Sequence, residues 1–241
     1  MKKVLITGAN KSIGFETARQ LLAKGYFVYL GSRSIEKGEA AVAQLKAEGF
    51  EDVAPLQIDV SDPASVKAAR QKVTALDVLI NNAGIMGGFS QTATTVDPAV
   101  MKQVFDTNFF GVIDVTQAFI DLLKASDAPR IVNVTSGLAS LTLHSDPTWK
   151  HYAVKGAAYG PSKTALNAYT VVLAHELKDT AFKVNAVDPG YTATDFNHHR
   201  GTGTIESAAK IIVKYATVDA DGPNGKYFSN EIEDESQESA W

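Results

Sequence analysis

Residues 7–14 read Thr7-Gly8-Ala9-Asn10-Lys11-Ser12-Ile13-Gly14. They stand between the apolar, β-branched stretch Val4-Leu5-Ile6-Thr7 and a segment in which Gly14, Ala18, Leu21 and Leu22 recur at helical spacing. That recurrence marks one helix face, and Gly25 just after it is a helix stop. A strand that feeds a helix through a glycine-rich turn opens a strand–helix–strand unit. Gly8 and Gly14 let the backbone approach a pyrophosphate closely, and the unpaired N–H groups at the start of the helix suit its charge. Five residues rather than four separate Gly8 from Gly14, and Phe15 stands where a P-loop places its Lys, so nucleotide hydrolysis is disfavoured. Asn10 at the middle position also breaks the Gly-x-Gly-x-x-Gly dinucleotide pattern.

Outward from the turn, short β-branched or aromatic runs recur at residues 27–30, 53–58, 78–80, 131–134 and 184–187, with helical patterns between them. They are apolar on both sides, as parallel strands buried between two helix layers are. The expectation is an α/β protein with a doubly wound parallel sheet, helices on both faces, and one domain over residues 1–241. Ligands of such sheets bind beyond the carboxyl ends of the strands. Thr7-Gly8, Asn81-Asn82-Ala83-Gly84, Ser136 and Pro189-Gly190 all fall at that edge, which predicts one composite site. Two long connections interrupt the rhythm there, residues 137–157 and 191–204, and such loops commonly act as lids. The acidic residues 231–238 read as a solvated surface segment.

A formal charge of −4 gives no general attraction to nucleic acid or an anionic membrane, both of which need clustered positive charge. The absence of Cys removes disulfides, thiolate metal sites and a Cys nucleophile together. No signal-like segment or long apolar run occurs, so the cytoplasm is the expected location. His198-His199 invites a metal reading, but adjacent His residues point differently and no carboxylate sits at ligand spacing, while His175-Glu176 lacks a second His. No metal is expected.

Tyr159 and Lys163 lie four apart in a helical pattern over residues 159–178 and so share a face one turn apart. With the glycine turn, Asn81-Asn82-Ala83-Gly84, Asn108, Ser136 and Pro189-Gly190, the pair resembles the short-chain dehydrogenases/reductases along essentially the whole chain. The resemblance implies a Rossmann-type fold and reversible, nicotinamide-dependent reduction of a ketone or aldehyde. It assigns Tyr159 as proton donor, Lys163 to the nicotinamide ribose, Ser136 to the substrate carbonyl, and Asn108 to an ordered water that relays protons to Lys163. A free phenol has a pKa of about 10, and the ammonium and an oxidised nicotinamide are expected to draw it down. Around Ser136 there is no Gly-x-Ser-x-Gly elbow, which leaves a hydrolase unsupported.

The same resemblance places Gly8, Asn10, Lys11, Ser12, Ile13 and Gly14 on the cofactor, with Ser12 departing from the family's middle Gly. Asp59 and Val60 are expected at the adenine. Asn82, Ala83 and Gly84 follow, and Pro189, Gly190, Thr192 and Thr194 are expected to close over the nicotinamide. Ser32 replaces the acid that would grip the ribose hydroxyls of NAD, and Arg33 with Lys11 offers cations to a 2′-phosphate, so NADPH is favoured over NAD without excluding it. Ser136 to Tyr159 spans 23 residues, more than in the family's simplest members, and this resembles the carbonyl-reductase-like branch. A small or aryl carbonyl is therefore the favoured substrate, with His144 and Tyr191 as pocket walls. The rival readings are a 3-oxoacyl-carrier reductase and a non-catalytic NADP(H)-binding sensor. A homo-oligomer, dimer or tetramer, is expected through the outer faces of the helices holding Asn108 and Tyr159.

Overall fold

The computed structural model describes residues 1–88 and 91–241. Its strands are β1 (Lys3–Ile6), β2 (Phe27–Ser32), β3 (Val53–Gln57), β4 (Val78–Asn81), β5 (Arg130–Val134), β6 (Lys183–Asp188) and β7 (Tyr227–Ser229). The helices between them are α1 (Ser12–Ala23), α2 (Ile35–Ala47), α3 (Pro63–Gln71), α4 (Pro98–Phe105), α5 (Gly111–Lys124), α6 (Leu141–His144), α7 (Tyr159–Glu176) and α8 (Ile205–Ala216). All seven strands pair in parallel in the order β3-β2-β1-β4-β5-β6-β7. The order reverses between β1 and β4, which opens the ligand crevice there.

Strand side chains alternate between the two faces. Val4, Ile6, Val78, Ile80, Val132 and Val187 pack under α1, α2 and α8, whereas Leu5, Leu79, Ile131 and Val184 pack under α3, α5 and α7. Both faces are therefore apolar, which is why the runs carried no alternating polar residue. Each fully buried Leu or Ile contributes about 1.5–3 kcal/mol by leaving water. Among the described residues no helix is long and apolar enough to cross a membrane.

Two features depart from expectation. β7 is three residues long, too short to show a period, and pairs Tyr227 with Ala186 at the sheet edge. The acidic tail is not simply solvated. It turns back along β7, where Ser229 N–H donates to Gln237 O at 2.9 Å, and Glu231 reaches Lys150 and His151 in the long connection after β5.

Candidate active site

Tyr159 is the first residue of α7, a helix start with no capping side chain of its own. Gln91 supplies the acceptor from across the crevice: its Oε1 takes the N–H groups of Ala158 at 3.1 Å and Tyr159 at 3.3 Å. Its Nε2 donates to Met86 O and Gly88 O, so one buried amide ties the segment after β4 to the start of α7. A buried polar chain sets the rest of that helix over the sheet. Asn81 Nδ2 donates to Asn133 Oδ1 at 2.9 Å, and Asn133 Nδ2 donates to Thr170 Oγ1 at 2.9 Å.

One turn along α7, Lys163 is 3% exposed, and its Nζ donates to Val134 O at 2.9 Å at the end of β5. That Nζ lies 6.0 Å from the centre of the Tyr159 ring, so both side chains face the crevice. The Ser136 side chain lies close enough to the Tyr159 phenol to favour its ionised form, and its Oγ accepts Leu138 N–H at 3.2 Å. Ser136, Tyr159 and Lys163 thus form one cluster beyond the carboxyl end of β5.

The charge balance of the cluster differs from the sequence expectation. Burial, reinforced by Asp188, pushes the Tyr159 phenol above its ordinary range, and only the Ser136 side chain opposes it. Burial also brings Lys163 down to about 8. The expectation weighed the ammonium and the nicotinamide charge but omitted desolvation, which penalises both charged forms and is the largest influence on each.

Asn108 is fully buried in a π-helical turn, Asp106–Phe110, between α4 and α5. Its Oδ1 accepts Ile85 N–H at 2.8 Å, and its Nδ2 donates to Ile85 O at 2.9 Å and Ser162 Oγ at 3.0 Å. The amide is thereby committed to anchoring the segment after β4, which gives it a positioning geometry beside the water-ordering role expected of it. A Cβ on Gly84 would sit 3.3 Å from Asn108 Oδ1 and 3.6 Å from Lys163 Nζ, so these three positions meet at the crevice floor.

At the glycine turn, the side chains of Ser34, Asp62, Asp97 and Thr204 cap α2, α3, α4 and α8, whereas α1 has no side-chain cap. Its first N–H groups, on Ser12, Ile13 and Gly14, have no partner within the helix and suit a pyrophosphate. Gly8 has φ +64°, and a Cβ there would press on Ala83. A Cβ on Gly14 would come within 2.6 Å of Asn82 Nδ2, which donates to Thr7 O and Gly8 O. Asn82 therefore holds the turn's shape, and Gly14 makes room for it. Ser12 adopts φ +56°, the left-handed conformation that a glycine takes at least cost. Asn10 is partly buried beside it.

The 2′-phosphate candidates differ from one another. Ser32 is buried at the end of β2, and Arg33 is exposed with no carboxylate at ion-pair distance among the described residues. Lys11 instead pairs with Asp195 at 2.8 Å, bridging the glycine turn to the connection after β6, and His199 joins the same carboxylate at 3.0 Å. Asp59 Oδ1 accepts from Ser61 N–H and hydroxyl, which shapes the turn after β3, and Val60 is buried next to it.

In the connection after β6, Thr192 donates to Pro189 O and Gly190 O, and the Thr194 backbone N–H donates to Asn197 Oδ1 at 3.2 Å at the start of the short 3-10 turn Asp195–Asn197. The Thr192 hydroxyl thus shapes the connection itself. Phe196 from that turn lays its ring 5.4 Å from the Tyr159 ring, a contact with no motif to announce it. His144 Nε2 is buried without a hydrogen-bond partner. Its ring begins a row, with Trp149 at 5.2 Å, His151 5.3 Å further and Tyr191 5.7 Å beyond. Among the described residues no group of three His, Cys, Asp or Glu could hold a metal ion.

Among the described residues these fit a nicotinamide dinucleotide: an uncapped helix start for the pyrophosphate, a guanidinium without an ion-pair partner at the second strand, and a buried ammonium whose one protein acceptor leaves donors for ribose hydroxyls. Comparison with known proteins agrees. The family model described as short chain dehydrogenase matches residues 2–204. A short-chain dehydrogenase of Penicillium roqueforti is 37% identical, with 96% of this chain and 94% of that protein covered. The solved structure of salutaridine reductase from Papaver somniferum is similar at TM-score 0.81 and 30% identity, over 94% of this chain and 99% of that one. The NADPH-bound carbonyl reductase from chicken fatty liver is similar at TM-score 0.84 and 25% identity, over 100% and 99% of the two chains. On the match over residues 2–204 and the shared fold, the chain belongs to the short-chain dehydrogenase family and is an NAD(P)-dependent oxidoreductase.

Proposed function

We propose that the protein reduces a ketone or aldehyde to an alcohol with NADPH, using Tyr159 as the proton donor. The observation that carries this reading is the joining of Ser136, Tyr159 and Lys163 at the carboxyl end of β5, with the Lys163 Nζ on Val134 O and 6.0 Å from the centre of the Tyr159 ring. The bound nicotinamide supplies the hydride. Ser136 holds the substrate carbonyl by a hydrogen bond that strengthens as negative charge gathers on oxygen. Tyr159 gives its proton to the forming alkoxide and becomes a phenolate, which the Lys163 ammonium stabilises while holding the nicotinamide ribose. Burial that keeps the phenol protonated at rest suits this direction, because the acid must carry its proton when the carbonyl arrives. Asn108 keeps the floor rigid, and the connection after β6 covers the crevice against water.

The row of His144, Trp149, His151 and Tyr191 rings beside the site supports a small or aryl carbonyl, since flat rings stack on flat rings. The similar chicken fatty liver enzyme is a carbonyl reductase, which agrees with a carbonyl substrate. Arg33, forked and without an ion-pair partner among the described residues, supports NADPH. The test is a panel of ketones and aldehydes with NADPH and NADH, chiral analysis of the products, and Tyr159→Phe and Arg33→Ala as variants. The expected outcome is NADPH preference that Arg33→Ala weakens, and loss of most turnover in Tyr159→Phe with cofactor binding kept. Activity within a few fold of wild type in Tyr159→Phe would contradict the proposed acid. Tight NADPH binding with no turnover on any carbonyl would favour a sensor, and turnover confined to carrier-bound 3-oxoacyl chains would favour the acyl reductase.

A further inference from the structure

Asp188, the last residue of β6, is 3% exposed and has no part in the assignments above. Each hydrogen bond that its carboxylate receives comes from a segment at the ligand edge. Oδ1 accepts Gly190 N–H at 2.9 Å and Oδ2 accepts the Ser229 hydroxyl at 2.6 Å. A Cβ on Gly137 would lie 3.3 Å from Oδ2, so the carboxylate presses on the backbone next to Ser136. On the other side, the Tyr227 hydroxyl donates to Ser136 O at 2.8 Å. β6 and β7 therefore grip the Ser136-Gly137 link from two directions. Burial raises the Asp188 carboxyl above its ordinary range, and the Ser229 hydroxyl and the Gly190 N–H, which can only donate, oppose that rise by favouring the ionised form.

We propose that Asp188 is a positioning residue of the reduction: it clamps the segment carrying Ser136 and, as a fixed negative charge, biases the site toward proton donation by Tyr159. The inference rests on the reading of Tyr159 as the acid. Three titratable groups face the carboxylate: Tyr159 from α7, Tyr227 from β7 and Glu231 from the tail, with the Lys163 ammonium beyond the Tyr159 ring. A negative charge at this place opposes phenolate formation, which adds to the rise of the Tyr159 phenol that burial begins. Reduction needs the protonated phenol and oxidation needs the phenolate, so Asp188 extends the pH range of reduction upward.

The experiment compares Asp188→Asn and Asp188→Ser with wild type and Tyr159→Phe. It measures NADPH affinity by fluorescence and the pH profiles of kcat/KM for ketone reduction and alcohol oxidation. The expected result is NADPH affinity within about twofold, a lower kcat, and an alkaline limb of reduction moved down by about half a pH unit or more, equivalent to about a threefold rise in the oxidation-to-reduction ratio at fixed pH. A merely structural contact would lower kcat without moving the limb, and that outcome overturns the proposal. Loss of NADPH binding in both uncharged variants also counts against it, because a positioning role leaves the cofactor crevice intact. An active Tyr159→Phe would instead sink the acid assignment itself, so the two failures are told apart.

Discussion

Lys163 carries a pH dependence of stability that a single variant should erase. The side chain is 3% exposed, and burial lowers its pKa from 10.5 to about 8. In the unfolded chain it holds its proton to higher pH than in the fold, so between those values the unfolded state binds more protons and stability rises with pH. Taking 8 in the fold and 10.5 unfolded, the gain from pH 7 to pH 9.5 is about 2 kcal/mol. The Tyr159 phenol, raised by burial, works in the other direction, but at pH 9.5 an ordinary phenol has barely begun to ionise, so it subtracts only roughly 0.2 kcal/mol. Lys163→Met keeps the length of the side chain and removes the titration. It also leaves Val134 O without its donor, at a cost of about 1–3 kcal/mol that does not vary with pH and so cancels in the comparison. Urea unfolding of both proteins at the two pH values gives four free energies. The wild-type rise should exceed the variant's rise by about 2 kcal/mol. A difference below about 0.5 kcal/mol, or of opposite sign, would mean that the ammonium is solvated in the native protein, and the reasoning from burial would fail.

Ser12→Gly should raise stability by about 1 kcal/mol, or about 2–4 °C in Tm for a chain of this size, because Ser12 holds φ +56° where glycine is unstrained. A lower Tm in calorimetry would show that the Ser12 hydroxyl offsets the strain. Asp195→Asn should free Lys11 for the 2′-phosphate and tighten NADPH by about threefold while leaving NADH unchanged, and equal shifts for both cofactors in fluorescence titration would refute the partner exchange. Phe110 and Val172 expose 51% and 62% of their surface on the outer side of the two helical segments holding Asn108 and Tyr159, so light scattering should give a dimer or tetramer that Val172→Lys dissociates. A wild-type monomer would end that expectation.

The sheet was legible because burial on both faces leaves its mark in the chain itself. Ile6, Leu30, Val78, Ile131 and Val184 sit in runs where solvent never selects a polar residue, and six of the seven strands follow from that alone. β7 escaped because its three residues give no period, and its partner, β6, lies some 40 residues earlier. The tail escaped for a related reason: its composition is that of a solvated segment, and the groove that receives Glu231 is made by Lys150, His151 and the Tyr191 backbone.

The candidate site divides along the same physical line. Tyr159, Lys163 and Ser136 could be proposed from sequence because the proposed reduction requires an acid, a cation and a donor, and helical spacing fixes two of them on one face. Spacing cannot name the residues that aim them. Gln91 reaches Tyr159 N–H from 68 residues away, Tyr227 reaches Ser136 O from 91, and Lys11 meets Asp195 across 184. Each is an ordinary polar or charged residue until the fold closes, after which it holds a backbone group or a charge that nothing nearer in the chain could hold. The glycine turn shows the subtler case. Gly14 was expected to make room for a pyrophosphate, yet what forbids its Cβ is the Asn82 amide 2.6 Å away, so the turn is shaped by the protein before any ligand arrives. A crevice already shaped by such contacts costs little to order when a dinucleotide binds, so on the proposed mechanism the distant positioning residues matter as much as the acid they would aim.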